Sequence, residues 1–235
     1  MDASILNYSV NDNVAEFLTK TKQLYINGKW VDSKSGKTFD VEDPATGKKI
    51  ATCSAGGEED INLAVSAARK AFDSGTWGKI PPNERGKIIW KIGDLIDEHT
   101  EELAQLESLD NGKPVAIAGA ADVALSSDIF RYMAGWATKI EGETIPISVP
   151  YTPGAQYHSY TLREPVGVVG QIIPWNFPLL MSAWKLSVAL TAGCTIILKP
   201  AEQTPLSALR LTEIINNAGI LPEGVLNVVT GFGEE

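Results

Sequence analysis

Two short stretches carry residue types and spacings that could do chemistry. Pro174-Trp175-Asn176-Phe177-Pro178 holds one side-chain amide beside two aromatic residues and between two prolines. Proline fixes φ, so the loop is stiff enough to aim Asn176. An amide NH2 is a neutral donor suited to oxygen charge that develops in a transition state, a role worth roughly 3–4 kcal/mol in an oxyanion hole. Asn equally serves to satisfy turn backbone, and Trp175 equally serves as a core side chain, so both readings stand on the pattern alone. The second stretch, Lys199-Pro200-Ala201-Glu202, sets a cation three residues before a carboxylate. Dinucleotide folds commonly place an acid after their second strand to accept hydrogen bonds from the adenosine ribose. Lys199 would donate to the same ribose, and a carboxylate there repels a 2′-phosphate, which favours NAD over NADP. The competing reading makes Lys199 a solvated strand-end charge and Glu202 a helix-entry acid near Thr204.

Either chemistry needs strands to carry these loops. After Arg163 the rhythm is strand, helix, strand, helix, strand: Val166 to Ile172, Leu179 to Leu190, Thr195 to Leu198, Pro205 to Asn217 and Val225 to Val229. Continuous apolar strands predict a parallel sheet of βαβ units covered on both faces. Ligands then bind beyond the strands' carboxyl ends, at Pro174–Pro178, Lys199–Pro205 and Thr230–Gly233. The first strand is not followed by G-x-G-x-x-G; Gly167 and Gly170 are expected inside it, so the ordinary pyrophosphate turn is absent.

Upstream, Asn27-Gly28 between Leu24 and Val31 predicts a type I′ hairpin. Ile61, Val65, Ala68 and Phe72 predict the buried face of a helix from Glu58 to Phe72. A second helix behind Pro81-Pro82 carries Ile88, Ile92, Leu95 and Ile96. Leu103 to Leu109 continues in helical rhythm to a stop at Asn111-Gly112, and another helix spans about Val115 to Ile140. From Glu141 to Tyr160 the text reads as an extended hairpin with Tyr151, Tyr157 and Tyr160 on one edge, either an assembly surface or an ordinary exposed hairpin.

Composition sets limits. The 235 residues carry a formal net charge of -9, which leaves no basic field for nucleic acid. Cys53 and Cys194 lack metal or redox spacing and read as structural thiols in a reducing compartment. With His99 and His158 the only histidines, no metal site is expected. Met1 to Leu18 lacks the cationic lead and apolar run of a targeting peptide, and no apolar stretch approaches the roughly 18 residues of a membrane span, so a cytoplasmic protein is expected.

Arg163-Glu-Pro-Val-Gly-Val-Val-Gly170, Pro174-Trp-Asn-Phe-Pro178, Lys199-Pro-Ala-Glu-Gln-Thr-Pro-Leu206 and Pro222-Glu-Gly-Val-Leu-Asn-Val-Val-Thr-Gly231 together resemble the aldehyde dehydrogenase superfamily in content, order and spacing. Leu24 to Trp30, Asp43 to Gly47, Glu107 to Lys113 and Lys139 to Gly142 extend the resemblance over essentially the whole chain. Lys139 to Pro165, including Pro153-Gly-Ala-Gln-Tyr157, is similar to phenylacetaldehyde dehydrogenases. The resemblance implies a Rossmann-like α/β cofactor domain that binds NAD without the glycine fingerprint. Residues 1–140 would form its N-terminal part, 141–163 an oligomerisation hairpin and 164–235 a truncated NAD-binding core, with the catalytic domain absent. It further implies that Ile172, Ile173, Pro174 and Trp175 line the cofactor cleft, that Lys199 and Glu202 hold the ribose, and that Gly233 approaches the adenine. Asn176 would help stabilise a thiohemiacetal oxyanion. In the family a cysteine attacks the aldehyde, hydride passes to NAD, and a glutamate activates the water that releases the acid. Those two residues lie downstream of Gly233 in the family, so the chain alone is expected to be inactive, and the complete enzyme to be a homodimer or homotetramer. The alternative is a non-catalytic NAD-binding or oligomerising module.

Overall fold

The computed structural model describes residues 9–234. The leader-free start expected for Met1–Leu18 falls partly on residues 1–8, outside the described residues. Asp12–Thr19 forms helix α1, opened by the Asn11 side chain accepting from Val14 N at 2.9 Å.

Strands β1 (Leu24–Ile26) and β2 (Lys29–Val31) form the expected hairpin, with Asn27 at φ 52° and Gly28 at φ 78° making its turn. The hairpin joins the main sheet, because β1 pairs antiparallel with β7 (Leu226–Val228). Buried Asn227 fixes that junction: its Oδ1 accepts from Asn27 N at 2.9 Å and its Nδ2 donates to Gly224 O and Ile196 O. Strands β5 (Val168–Ile172), β6 (Thr195–Lys199) and β7 are parallel neighbours, giving the order β2-β1-β7-β6-β5. Helices α7 (Pro178–Ala192) and α8 (Leu206–Asn217) make the crossovers. A separate antiparallel pair, β3 (Thr38–Asp43) with β4 (Lys48–Ser54), was not read from the sequence.

Alternation along β6 divides the core. Ile196 and Leu198 join the main cluster with α7 and α8, while Ile197 faces the cluster beneath α2 (Glu58–Ser74). The buried face of α2 is Asp60, Ala64, Ala68 and Ala71; Val65 is exposed and Ile61 and Phe72 are half-buried, which corrects the expected stripe. Close approach explains the alanines. Thr195 Oγ1 donates to Ala68 O at 2.9 Å, and a Cβ at Gly224 would stand 2.8 Å from Ala67 O, leaving no room for larger side chains.

Helices α3 (Pro82–Glu98) and α4 (Thr100–Asn111) follow, and in α3 Ile89 rather than Ile88 is fully buried. The helix expected over Val115–Ile140 ends at Trp136. It comprises α5 (Val115–Ile117), a π turn (Ala118–Val123) and α6 (Ala124–Trp136). Residues 141–163 are largely exposed and joined by a Thr144–Tyr160 bridge, with Ile145 N donating to Ser159 O at 2.8 Å.

At β5 the expectation needs correction. The strand starts at Val168, so Gly167, at φ 116°, lies outside it, and Val166 is 86% exposed. Nor are both of its faces covered. β5 is the sheet's last strand among the described residues, and Ile172 is 76% exposed beside an apolar groove bordered by Val169, Trp184 and Val188. Apolar composition reports tolerance for burial, whereas actual cover requires a neighbour on each side.

Candidate functional site

The strand ends converge on one cleft of about 450 Å³, a size that fits a small-molecule site. Ile172, Ile173 and Trp175 reach it from the end of β5, Lys199 and Glu202 from the end of β6, and Gly233 from beyond β7. Strand register delivers them together: Ile173 N donates to Lys199 O at 3.1 Å and Val229 N to Leu198 O at 3.0 Å, extending the ladder to the mouth. Pro174 and Asn176 occupy the same turn, both exposed, outside the lining.

Lys199 Nζ and Glu202 Oε2 stand 3.4 Å apart, with side chains 16% and 29% exposed. Lys199 also donates to Pro200 O at 3.2 Å, and Gln203 Nε2 to Glu202 Oε1 at 2.9 Å. Partial burial of Glu202 works to raise its carboxyl, but its own backbone N–H, Lys199 and Gln203 outweigh that and hold it below the ordinary carboxylate range. The carboxylate therefore stays charged and accepting. Glu202 does not cap the next helix, because the Leu206 amide donates to Asp110 Oδ2 at 2.7 Å. Trp175, 60% exposed, is not a core side chain.

Glycines make the floor, drawn from segments far apart in sequence. Gly56 N donates to Thr230 O at 2.7 Å. A Cβ at Gly56 would lie 2.6 Å from Val229 Cγ1, and one at Gly231, whose φ is 153°, would lie 2.5 Å from Gly56 O. No side chain fits between these backbones. Gly56 was not singled out in the sequence as a site residue; its signal was the Gly56-Gly57 pair at the end of a strand. At Gly233 a Cβ would meet nothing within 4 Å, so the chain's own packing does not require glycine there.

The turn that carries Asn176 is held from outside. Asn111 Nδ2 donates to Trp175 O at 2.8 Å, and Leu179 N donates to the Glu107 carboxylate at 3.2 and 3.4 Å. The backbone-satisfying role weighed for Asn176 is thus performed by Asn111. Sequence reading missed Glu107, Asp110 and Asn111 as partners of the cleft loops, since they act across 64 to 96 residues. Cys53 and Cys194 are buried outside the cleft lining, and burial pushes the Cys53 thiol up. Among the described residues no group of three or more His, Cys, Asp or Glu could hold a metal ion, and no helix is long and apolar enough to cross a membrane.

A parallel βαβαβ core whose strand ends share one cleft defines a Rossmann-like α/β domain. Residues 30–235 match the model of the aldehyde dehydrogenase family, and the chain belongs to that family. It is 52% identical to the mitochondrial benzaldehyde dehydrogenase of Antirrhinum majus over 90% of this chain and 38% of the relative. With the phenylacetaldehyde dehydrogenase of Pseudomonas fluorescens it shares 49% identity over 90% of this chain and 42% of the relative. The NAD+ complex of an aldehyde dehydrogenase from Bacillus cereus superimposes with a TM-score of 0.92 at 52% identity, covering 98% of this chain and 45% of the other. The chain therefore spans less than half the length of the relatives it matches. Identity of 52% and 49% to relatives named for different aldehydes does not single out the phenylacetaldehyde sub-type.

Proposed function

We propose that this chain is the cofactor-holding part of an enzyme that oxidises an aldehyde to a carboxylic acid with NAD, through a cysteine thiohemiacetal and thioester. The observation that carries the reading is the single cleft uniting Ile172, Ile173 and Trp175 with the Lys199–Glu202 pair and Gly233. NAD would supply the hydride acceptor. Glu202 and Lys199 would grip the adenosine ribose, since an ionised carboxylate accepts from both ribose hydroxyls and opposes a 2′-phosphate. Bare glycine backbone at Gly56 and Gly231 would admit the cofactor closely, and Gly233 would approach the adenine, in place of the absent G-x-G-x-x-G turn. Ile172, Ile173 and Trp175 would wall the cleft, Pro174 would stiffen the turn that carries Trp175, and Asn176 at the lip would donate to the substrate-derived oxyanion.

Neither cysteine of this chain serves as the nucleophile in this reading, because both are buried away from the cleft. The 235 residues alone would hold NAD without oxidising aldehyde. The exposed segment 141–163 would carry assembly of the complete enzyme into a homodimer or homotetramer, with Tyr151, Tyr157 and Tyr160 exposed along it. No nucleic-acid or membrane partner is invoked.

Calorimetric titration tests the cofactor site. NAD should bind saturably and more tightly than NADP, and Glu202→Ala should weaken it about tenfold, the scale of a lost charge-assisted hydrogen bond. Absence of saturable binding, or an unchanged affinity in the Glu202→Ala chain, would overturn the assignment. Steady NADH production by the unmodified chain would overturn its inactivity.

A further inference from the structure

The last turn of α4 and the residues just beyond it touch the Trp175–Asn176 turn at three places. Glu107 and Asn111, four residues apart, share one face of the helix. Glu107 accepts from Leu179 N, at the start of α7, and Asn111 Nδ2 donates to Trp175 O at 2.8 Å. Gly112, at φ 82°, ends the helix and swings Lys113 back. The Lys113 ammonium stands 4.1 Å from the centroid of the Phe177 ring and is ion-paired with fully buried Asp122. Asp122 belongs to the π turn of Ala118–Val123, whose wider winding shifts side-chain register within the helix.

These contacts divide the labour. Glu107 fixes where α7 begins, and Lys113 fixes the Phe177 ring. Among the described residues only Asn111 grips the peptide joining Trp175 to Asn176. Because a peptide unit is planar, holding the Trp175 carbonyl sets ψ of Trp175 and φ of Asn176 together. The side-chain amide of Asn176 leaves the backbone at the next atom, so its direction follows from that plane.

We propose that Asn111 is a positioning residue: its amide, by holding the Trp175 carbonyl, sets the directions of the Trp175 ring in the cleft and of the Asn176 amide at its lip. Asn111 itself touches neither cofactor nor substrate. The functional part of this inference rests on the cofactor reading above. A structural role alone is a different claim, since the bond is solvent-exposed and its loss leaves no buried group unpaired.

The sequence offers a direct probe. Trp175-Asn176 is its only Trp-Asn pair, so labelling tryptophan carbonyl carbons with 13C and asparagine nitrogens with 15N leaves one carbonyl-to-amide NMR correlation, at this peptide. Asn111→Asp keeps the side chain's shape and loses its donor, and Asn111→Ala removes the group. In both, the correlation should move or split, NAD affinity by titration should fall about tenfold, and the melting temperature of the cofactor-free chain should stay close to the parent's. A correlation coincident with the parent's overturns the proposal. So does parental NAD affinity despite a displaced correlation, or loss of folding in both variants. Should the unmodified chain bind no NAD, the cofactor reading fails by itself, and the correlation alone then decides whether Asn111 holds the turn.

Discussion

The turn after β5 and the turn after β6 both leave a strand's carboxyl end and enter a helix whose first amides have no local side-chain cap. The same helix supplies both caps. Glu107 accepts from Leu179 N at 3.2 and 3.4 Å, and Asp110 accepts from Leu206 N at 2.7 Å. From there the two differ. The turn after β6 is capped by Asp110, whose Oδ2 accepts from Leu206 N in a short bond, with the Ser207 amide also acting on the carboxyl. The turn after β5, which carries Asn176, has Asn111 and Lys113 as further anchors. Charged Lys199 and Glu202 steady each other across the cleft wall, whereas the neutral Asn176 amide at a loop tip has no ion-pair partner to steady it and depends on its backbone being held. The comparison teaches that anchoring is concentrated on the loop whose side chain must point by backbone geometry alone.

The two caps should also answer differently to pH and to truncation. Burial, with the nearby Asp122 charge, pushes the Glu107 carboxyl up to about 7, against the pull of the Ser207 hydroxyl, Lys113 and the Leu179 amide. Folded Glu107 keeps its proton up to that value while an unfolded one releases it near the ordinary 4.5. Its contribution to stability is therefore full below the lower value and lost as pH rises between the two, up to roughly 3 kcal/mol. Urea denaturation across that window should show Glu107→Gln nearly free of this decline; a parental slope in the variant would break the contrast. At the other turn, Asp110→Ala removes the cap on Leu206 N and should cost about 2 kcal/mol, the penalty of a buried unpaired amide. Asp110→Asn keeps an accepting oxygen and cannot ionise. Burial raises the Asp110 carboxyl well above its ordinary value, so a neutral isostere should recover most of the loss. Equal destabilisation by Ala and Asn would mean that charge, rather than the bond, anchors this turn.

How much was legible in the sequence follows from the range over which each signal acts. The βαβ core, the Asn27-Gly28 turn and the grouping of Trp175, Lys199 and Glu202 were readable, because strand ends and loop residues are adjacent in the chain. Of the buried alanines on α2 only Ala68 was read as part of its face; Ala64 and Ala71 were not, since Ile61 and Phe72 outrank them in hydrophobicity and only the approach to Thr195 and Gly224 reverses the order. Cover on β5 was over-read for a related reason: apolar residues show what a strand tolerates, not which neighbours it has. The trans caps from α4 were illegible in principle. Glu107 and Asp110 look like acids on a helix surface, and their partners are backbone amides, which every sequence position carries alike.

One residue bears on both turns at once. Gly112 closes α4 in the left-handed conformation, with its N–H donating to Ser108 O at 2.8 Å, and a Cβ there would stand 3.0 Å from Pro44 Cγ. Gly112→Ala should cost about 1 kcal/mol for the left-handed backbone, with the Pro44 contact in addition. If α4 is the common support, the disturbance should reach both turns: amide hydrogen exchange at Leu179 and at Leu206 should quicken together, and the Leu179 site more, because Asn111 and Lys113 flank the altered residue. Faster exchange at Leu206 alone would show that the two turns are supported independently, and would remove the basis for comparing them.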